Sequence, residues 1–209
     1  MYGVDENMLA PVLLARDRWL RPGGALLPAR VTALVAPISH EGVASDLRFL
    51  QSRPYDLDFG LVARGVAEQL YLTQSRLSGE NLLADPQELW TTDAYADPIK
   101  RALLPFSGSP VFQVNRQGDF AGLTAWFRAD FGSGIELTNA PDALPTHWAQ
   151  LIFPLQRPLT VSPGDTVAAD FHCIPAEPGY CHHAWSVRVR NGQWEHHDTR
   201  RAIWQDGWA

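Results

Sequence analysis

The sequence predicts a mainly β chain, a β-barrel or sandwich, opened by an N-terminal helix and interrupted by an inserted helical arm. Three observations carry that expectation. The apolar spacing changes from helical to alternating after Gly23-Gly24. Beyond that point short apolar runs follow one another with turn signals between them, the pattern of an all-β domain. Within residues 55–90 the spacing becomes helical again.

The opening helix rests on Leu9, Val12, Leu13, Arg16 and Trp19, with Arg21-Pro22-Gly23-Gly24 as its stop. Pro11 has no amide hydrogen, so regular helix is expected to begin only there, with the proline in its first turn. Val31, Ala33 and Val35 then alternate with Thr32, Leu34 and Ala36, as a strand requires. In the arm, Phe59, Val62, Val66 and Leu70 form the stripe of a short amphipathic helix. Asp85-Pro86-Gln87-Glu88 offers an N-cap, a first-turn proline and a capping-box glutamate for another. Residues 111–114 and 120–131 flank Arg116-Gln117-Gly118-Asp119 and predict a hairpin. Residues 147–153 predict a strand. Residues 159–161 and 166–173 predict two more, joined by the turn Ser162-Pro163-Gly164-Asp165. Trp185, Val187 and Val189 alternate up to Asn191-Gly192, a strong hairpin signal. The expected division is a helix and turn over 1–24 and one β-barrel domain over 25–209, with the arm at about 55–90.

A chain of 209 residues, 45% hydrophobic, can bury one sizeable core. Its net charge of −6 leaves no basic stripe to meet phosphates, which argues against nucleic acid. Two cysteines, Cys173 and Cys181, make no disulfide framework. The start is acidic where a secretory leader would be basic, and the apolar stretch 26–38 is broken by Pro28, Arg30 and Pro37. The expectation is a cytoplasmic protein that does not enter membranes.

Several tempting motifs carry no chemistry. Gly132-Ser133-Gly134 lacks the third glycine and the following helix of a nucleotide loop, and is read as a plain loop. His172-Cys173 with Cys181-His182-His183 holds good zinc-ligand types. The spacing is not of the C-x-x-C kind, and adjacent histidines on a strand face opposite ways, so no metal site is expected. His196-His197 is read the same way.

The informative residues lie elsewhere. Asp5-Glu6-Asn7-Met8-Leu9 followed by Ala15-Arg16-Asp17-Arg18-Trp19-Leu20-Arg21-Pro22-Gly23-Gly24 resembles the helix and turn that join cofactor domain to barrel in protein arginine methyltransferases. Thr146-His147-Trp148-Ala149-Gln150 resembles the family's Thr-His-Trp loop, and Pro158-Leu159-Thr160-Val161 with Gly164-Asp165 resembles the family's next segment after that loop. The resemblance runs over nearly the whole chain and is weakest beyond about Pro175.

The resemblance implies an S-adenosylmethionine-dependent methyltransferase present as its substrate-binding barrel, with Glu6 as the second glutamate of the family's paired-glutamate loop. A guanidinium stays protonated near neutral pH, and a carboxylate grips it through charge-assisted hydrogen bonds. His147 and Trp148 would line the substrate side. The first glutamate and the cofactor domain would precede Met1, so S-adenosylmethionine is not expected to bind this chain, either as a truncated form or as a natural stand-alone barrel. The implied partners are an arginine-containing protein or peptide or a small molecule, the cofactor domain itself, and further copies associating through the arm. A non-catalytic scaffolding barrel is the alternative; an unrelated small-molecule barrel would need a deep apolar pocket. The resemblance also sets a geometric expectation: Glu6 and the pair His147-Trp148 should face one open, apolar side of the molecule.

Overall fold

The computed structural model describes residues 3–4, 6, 8–72, 77–176 and 180–202; Asp5 and Asn7 of the N-terminal motif lie outside them. Helix α1 (Leu9–Trp19) begins before Pro11 rather than at it. Pro11 is its third residue, and first-turn amides have no intrahelical acceptor to lose, so the ring is tolerated. Leu13 is the residue α1 buries fully, while Trp19 points outward. The stop behaves as predicted: Gly24 N–H donates to the Arg21 carbonyl at 2.8 Å, and Gly23 takes φ +76°.

Strand β1 (Arg30–Ile38) does not alternate in burial; Thr32, Ala33, Val35, Ala36 and Ile38 are all buried. Both of its faces are covered. Ala33 and Val35 enter the main core, while Ile38 packs in a second cluster with Leu77 and Ile152. The helical excursion follows directly, earlier than expected. Helix α2 (Glu41–Gln51) is capped by the His40 ring, which accepts the Val43 N–H at 3.2 Å, and it buries Ala44 and Leu47. Helix α3 (Gly60–Ala67) buries Ala63, Gly65 and Ala67, whereas Phe59, Val62, Val66 and Leu70 are only half-buried. Small residues let α3 approach its neighbours closely, and the larger ones flank that contact. Between the helices, Arg53, Tyr55 and Asp56 take positive φ; Tyr55 and Leu57 there, Phe49 on α2 and Leu61 on α3 are exposed. A short strand, β2 (Tyr71–Leu72), returns the chain to the barrel.

The capping signal at Asp85 does not open a helix. Residues after Pro86 form strand β3 (Gln87–Asp93), paired antiparallel to β1. Asp85 instead accepts a hydrogen bond from the Asn115 amide at 3.1 Å. Pairing along β1 outweighs a local cap signal of about 1 kcal/mol. Strands β4 (Phe106–Gly108) and β5 (Val111–Gln113) follow, then β6 (Gly118–Asp130), the longest. The predicted hairpin between β5 and β6 is not formed. They belong to different sheets, and Gly118 already opens β6, where a Cβ would sit 2.8 Å from Leu83 Cδ2. Gly132-Ser133-Gly134 is a loop, with Ile135 N–H donating to the Gly132 carbonyl at 3.0 Å, and leads into β7 (Glu136–Thr138).

The strand predicted at 147 begins four positions later, as β8 (Leu151–Val161), and absorbs the separate strand predicted at 159. The turn at Ser162 is present: Asp165 N–H donates to the Ser162 carbonyl at 3.0 Å. Strand β9 (Thr166–Pro175) follows, then β10 (Cys181–Val189), whose inward Cys181, His183, Trp185 and Val187 keep the predicted alternation. The hairpin to β11 (Glu195–Asp198) also forms, with Arg190 supplying the positive φ.

One sheet runs β2-β8-β6-β1-β3 with β7 beside β6; the other runs β11-β10-β9-β4 with β5 also on β9. Their inner faces meet in one core. The Phe153 ring stands edge-on to Phe171 at 5.2 Å and to Trp185 at 5.3 Å. Such aromatic contacts add about 0.5–1.5 kcal/mol each beyond area burial. At one seam, β4 lies so close to β3 that a Cβ on Gly108 would fall 2.6 Å from the Leu89 carbonyl oxygen. Among the described residues no helix is long and apolar enough to cross a membrane.

Candidate functional site at the barrel mouth

Residues 3–4, 6 and 8, ahead of α1, lie against β1 and β6 and form one side of a pair of hollows, the barrel mouth. Val4 is buried in the main core, and its carbonyl accepts from Cys181 Sγ at 3.5 Å. Gly3 lies against Val31 so closely that a Cβ would come within 2.5 Å of Val31 Cγ1. This anchoring sets Glu6 and Met8 over a pocket of about 200 Å³, walled by Val31, Phe127, Phe131 and Trp148. Glu6 is its carboxylate, at an exposed turn immediately before the helix. A second hollow of about 340 Å³ continues from it along α1, between Leu9, Val12 and Leu27. The open side is therefore lined largely by apolar side chains.

Glu6 and Trp148 thus line one pocket, from opposite parts of the chain. Trp148 is 37% exposed and stands edge-on to Phe127, with ring centroids 5.6 Å apart. His147 is exposed and does not line that pocket. It faces the adjoining hollow of about 190 Å³ formed by residues 139–150, its ring 6.2 Å from Trp148. The Thr146 hydroxyl braces the loop, accepting the Trp148 N–H at 3.2 Å and donating to the Trp148 carbonyl at 3.1 Å.

The sequence did not reveal what holds this loop in place. Buried Asn139 accepts the Phe127 N–H at 2.9 Å through Oδ1 and donates to the Ala149 carbonyl at 2.9 Å through Nδ2. Buried Gln150 donates to the Asn139 carbonyl at 2.6 Å. Buried polar side chains held this way fix a single loop conformation. The only sequence signal is an amide at each end of the loop. Arg16 was also missed as an anchor. Its Nη1 donates to the carbonyls of Ala94, Tyr95 and Asp97 at 3.1, 3.2 and 2.7 Å, and its Nε to Asp17 at 2.8 Å, fastening α1 to the turn after β3.

The histidines of these motifs line none of the three hollows at the mouth. His172 Nδ1 is bonded to Ser107 Oγ at 2.8 Å and His196 Nδ1 to Ser186 Oγ at 2.7 Å. Cys173 and Cys181 are buried thiols outside any disulfide. Among the described residues no three histidine, cysteine or acidic groups converge as metal ligands would.

Two packed antiparallel sheets, a helix across the mouth and a helical arm form the barrel found in arginine methyltransferases. The chain superposes with a TM-score of 0.78 on the Trypanosoma brucei PRMT1 enzyme–prozyme heterotetrameric complex solved with AdoHcy, at 21% identity, covering 91% of this chain and 61% of that one. On Arabidopsis thaliana protein arginine methyltransferase 10 the TM-score is 0.70, at 21% identity, with 95% and 67% covered. The model of the arginine methyltransferase oligomerization subdomain matches residues 29–188. In sequence, the chain is 27% identical to protein arginine N-methyltransferase 2 of Xenopus tropicalis, over 95% of this chain and 44% of that protein. It is 30% identical to protein arginine N-methyltransferase 1 of Schizosaccharomyces pombe, over 82% and 50%. The chain belongs to the protein arginine methyltransferase family and corresponds to its C-terminal barrel with the oligomerization subdomain. It spans about half the length of these curated relatives.

Proposed function

We propose that this chain is the substrate-facing and oligomerising barrel of an S-adenosylmethionine-dependent arginine methyltransferase, whose methyl transfer also needs a cofactor-holding domain. The supporting observation is the pocket shared by Glu6 and Trp148. A carboxylate at the rim offers charge-assisted hydrogen bonds to a guanidinium. The apolar walls suit the methylene stem of an arginine, and the Trp148 ring suits its cationic face. His147, in the next hollow, would brace the cofactor-holding domain. The exposed arm residues Phe49, Tyr55, Leu57 and Leu61 would supply contacts to a second copy.

The glycine loop at 132–134 joins two strands rather than a strand and a helix, so its amides do not form a helix N-terminus. The methyl donor would be held by another domain, and this chain's part is to bind and orient the acceptor. Two buried cysteines outside any disulfide suit a reducing compartment, in keeping with the cytoplasm.

An arginine-containing peptide titrated into the full chain should shift the Trp148 indole resonance and those of Met8 and Phe127. Glu6→Gln should weaken that binding about tenfold, the worth of one charge-assisted bond. Equal binding of a peptide with arginine replaced by citrulline would refute the guanidinium reading and favour a scaffolding barrel. Saturable one-to-one binding of S-adenosylmethionine in calorimetry would refute the division of labour.

A further inference from the structure

The His197 side chain is wholly buried. Its Nδ1 lies 2.8 Å from the carbonyl oxygen of Ala67, the last residue of α3, and its Nε2 lies 2.8 Å from Glu195 Oε1. A backbone carbonyl can only accept, so Nδ1 carries a proton. Were the ring neutral, Nε2 would present a lone pair to a carboxylate oxygen at contact distance. That same oxygen already accepts the Gln156 N–H. A proton on Nε2 removes the conflict, and two further features favour placing it there. The ring lies parallel to the Trp185 indole at 4.7 Å, an arrangement that favours a cation. It also faces the carbonyl end of α3, where positive charge is stabilised.

We propose that His197 is a buried imidazolium that latches the helical arm to the barrel, so that a proton controls how firmly the arm is held. The surrounding charges are otherwise engaged. Glu68, just past α3, accepts the Asp198 N–H at 2.6 Å and faces Arg201 at 3.6 Å. Asp198 pairs with Arg200 at 2.6 Å. β10 carries the His183 ring, packed against Phe153 at 6.2 Å. β8 brings the exposed Arg157 beside Gln156, α3 carries the exposed Arg64, and α2 contributes a neutral contact, Gln51 Nε2 to the Gln156 carbonyl at 2.5 Å. Glu195 is 27% exposed and gives the proton a path to water. The direction follows from the bonds: a ring with one proton can make only one of them, and the Glu195 carboxylate outcompetes the Ala67 carbonyl for it, so the latch is intact on the acid side and loosens as rising pH removes the second proton.

Nitrogen NMR of the full chain, labelled on histidine, should show both His197 ring nitrogens protonated at about pH 6.5. Amide-exchange protection of residues 63–67, corrected for intrinsic rate, should fall about tenfold between about pH 6.5 and about pH 9. In Glu195→Gln the side-chain oxygen that keeps the Gln156 N–H carries no charge to hold the second proton, so the protection should be low and flat across that range. A bare Nε2 at the lower pH, flat protection in the native chain, or an equal fall in both proteins would each overturn the proposal. The nitrogen spectrum needs no variant, so the test survives a Glu195→Gln chain that fails to fold.

Discussion

Replacing Asn139 with alanine should show what holds the Trp148 loop to the barrel. The native side chain is 2% exposed and makes two bonds of 2.9 Å, one from the Phe127 N–H and one to the Ala149 carbonyl. Alanine removes both. Leaving the Phe127 amide without this acceptor costs about 1–3 kcal/mol, and the lost donor about 1 kcal/mol more. The sum, about 2–4 kcal/mol, is a large share of a typical stability of about 5–15 kcal/mol. The Asn139 carbonyl keeps its bond from Gln150, so the loop retains one tie. Urea unfolding should show the loss as a lower midpoint at unchanged slope. For a chain of this size the melting temperature should fall by roughly 4–16 °C. Peptide binding at the mouth should weaken as Trp148 loses its position. A stability change below about 0.5 kcal/mol, the range of an ordinary surface substitution, would refute this account of the loop.

Leu13→Ala, at the fully buried residue of α1, should cost about 2–5 kcal/mol in urea unfolding; a change below about 1 kcal/mol would mean that α1 is not docked as described. Arg16→Lys should not fully restore the stability lost in Arg16→Ala, because one ammonium in the place of Nη1 leaves the Asp17 contact of Nε unmade; full rescue by lysine would contradict that geometry. Acid should loosen the surface turns. Asp165 is held down to about 2 by the Arg190 guanidinium and the Ser162 N–H. Asp93 is lowered first by the Ala96 N–H, and Asp198 by Arg200. A depressed folded value means that the stabilisation is present above about pH 4 and lost as pH falls through the folded value. Carboxyl NMR should show Asp165 titrating near 2, and titration near the ordinary value of about 4 would count against the Arg190 contact.

The parts legible in the sequence were those fixed by local chemistry. The stop at Gly23 and the turn at Ser162 need particular backbone angles, and the alternation of β10 needs one buried face. The misses share a cause. Asp85-Pro86 carries a good helix start, yet β1 needed a partner and took residues 87–93. Helix α2 went unnoticed because its stripe of Val43, Ala44, Leu47 and Leu50 follows β1 with only a short break. The hairpin at 116–119 failed because strands adjacent in sequence entered different sheets, which no local signal records. At the mouth, the residue types of Glu6 and Trp148 suggested a role only through family resemblance. The amides that hold the loop, Asn139 and Gln150, were invisible because their partners are backbone groups.

The bond from Cys181 to the Val4 carbonyl joins residues 177 positions apart. Contacts of such span are slow to form, since a long loop must close before any of them is rewarded. The pocket therefore cannot exist as a local unit: its Glu6 side is seated only once β10 has been made and paired. Occupancy of the mouth should then report on completion of the entire barrel, and a destabilised variant should lose its ligand before it loses its helices.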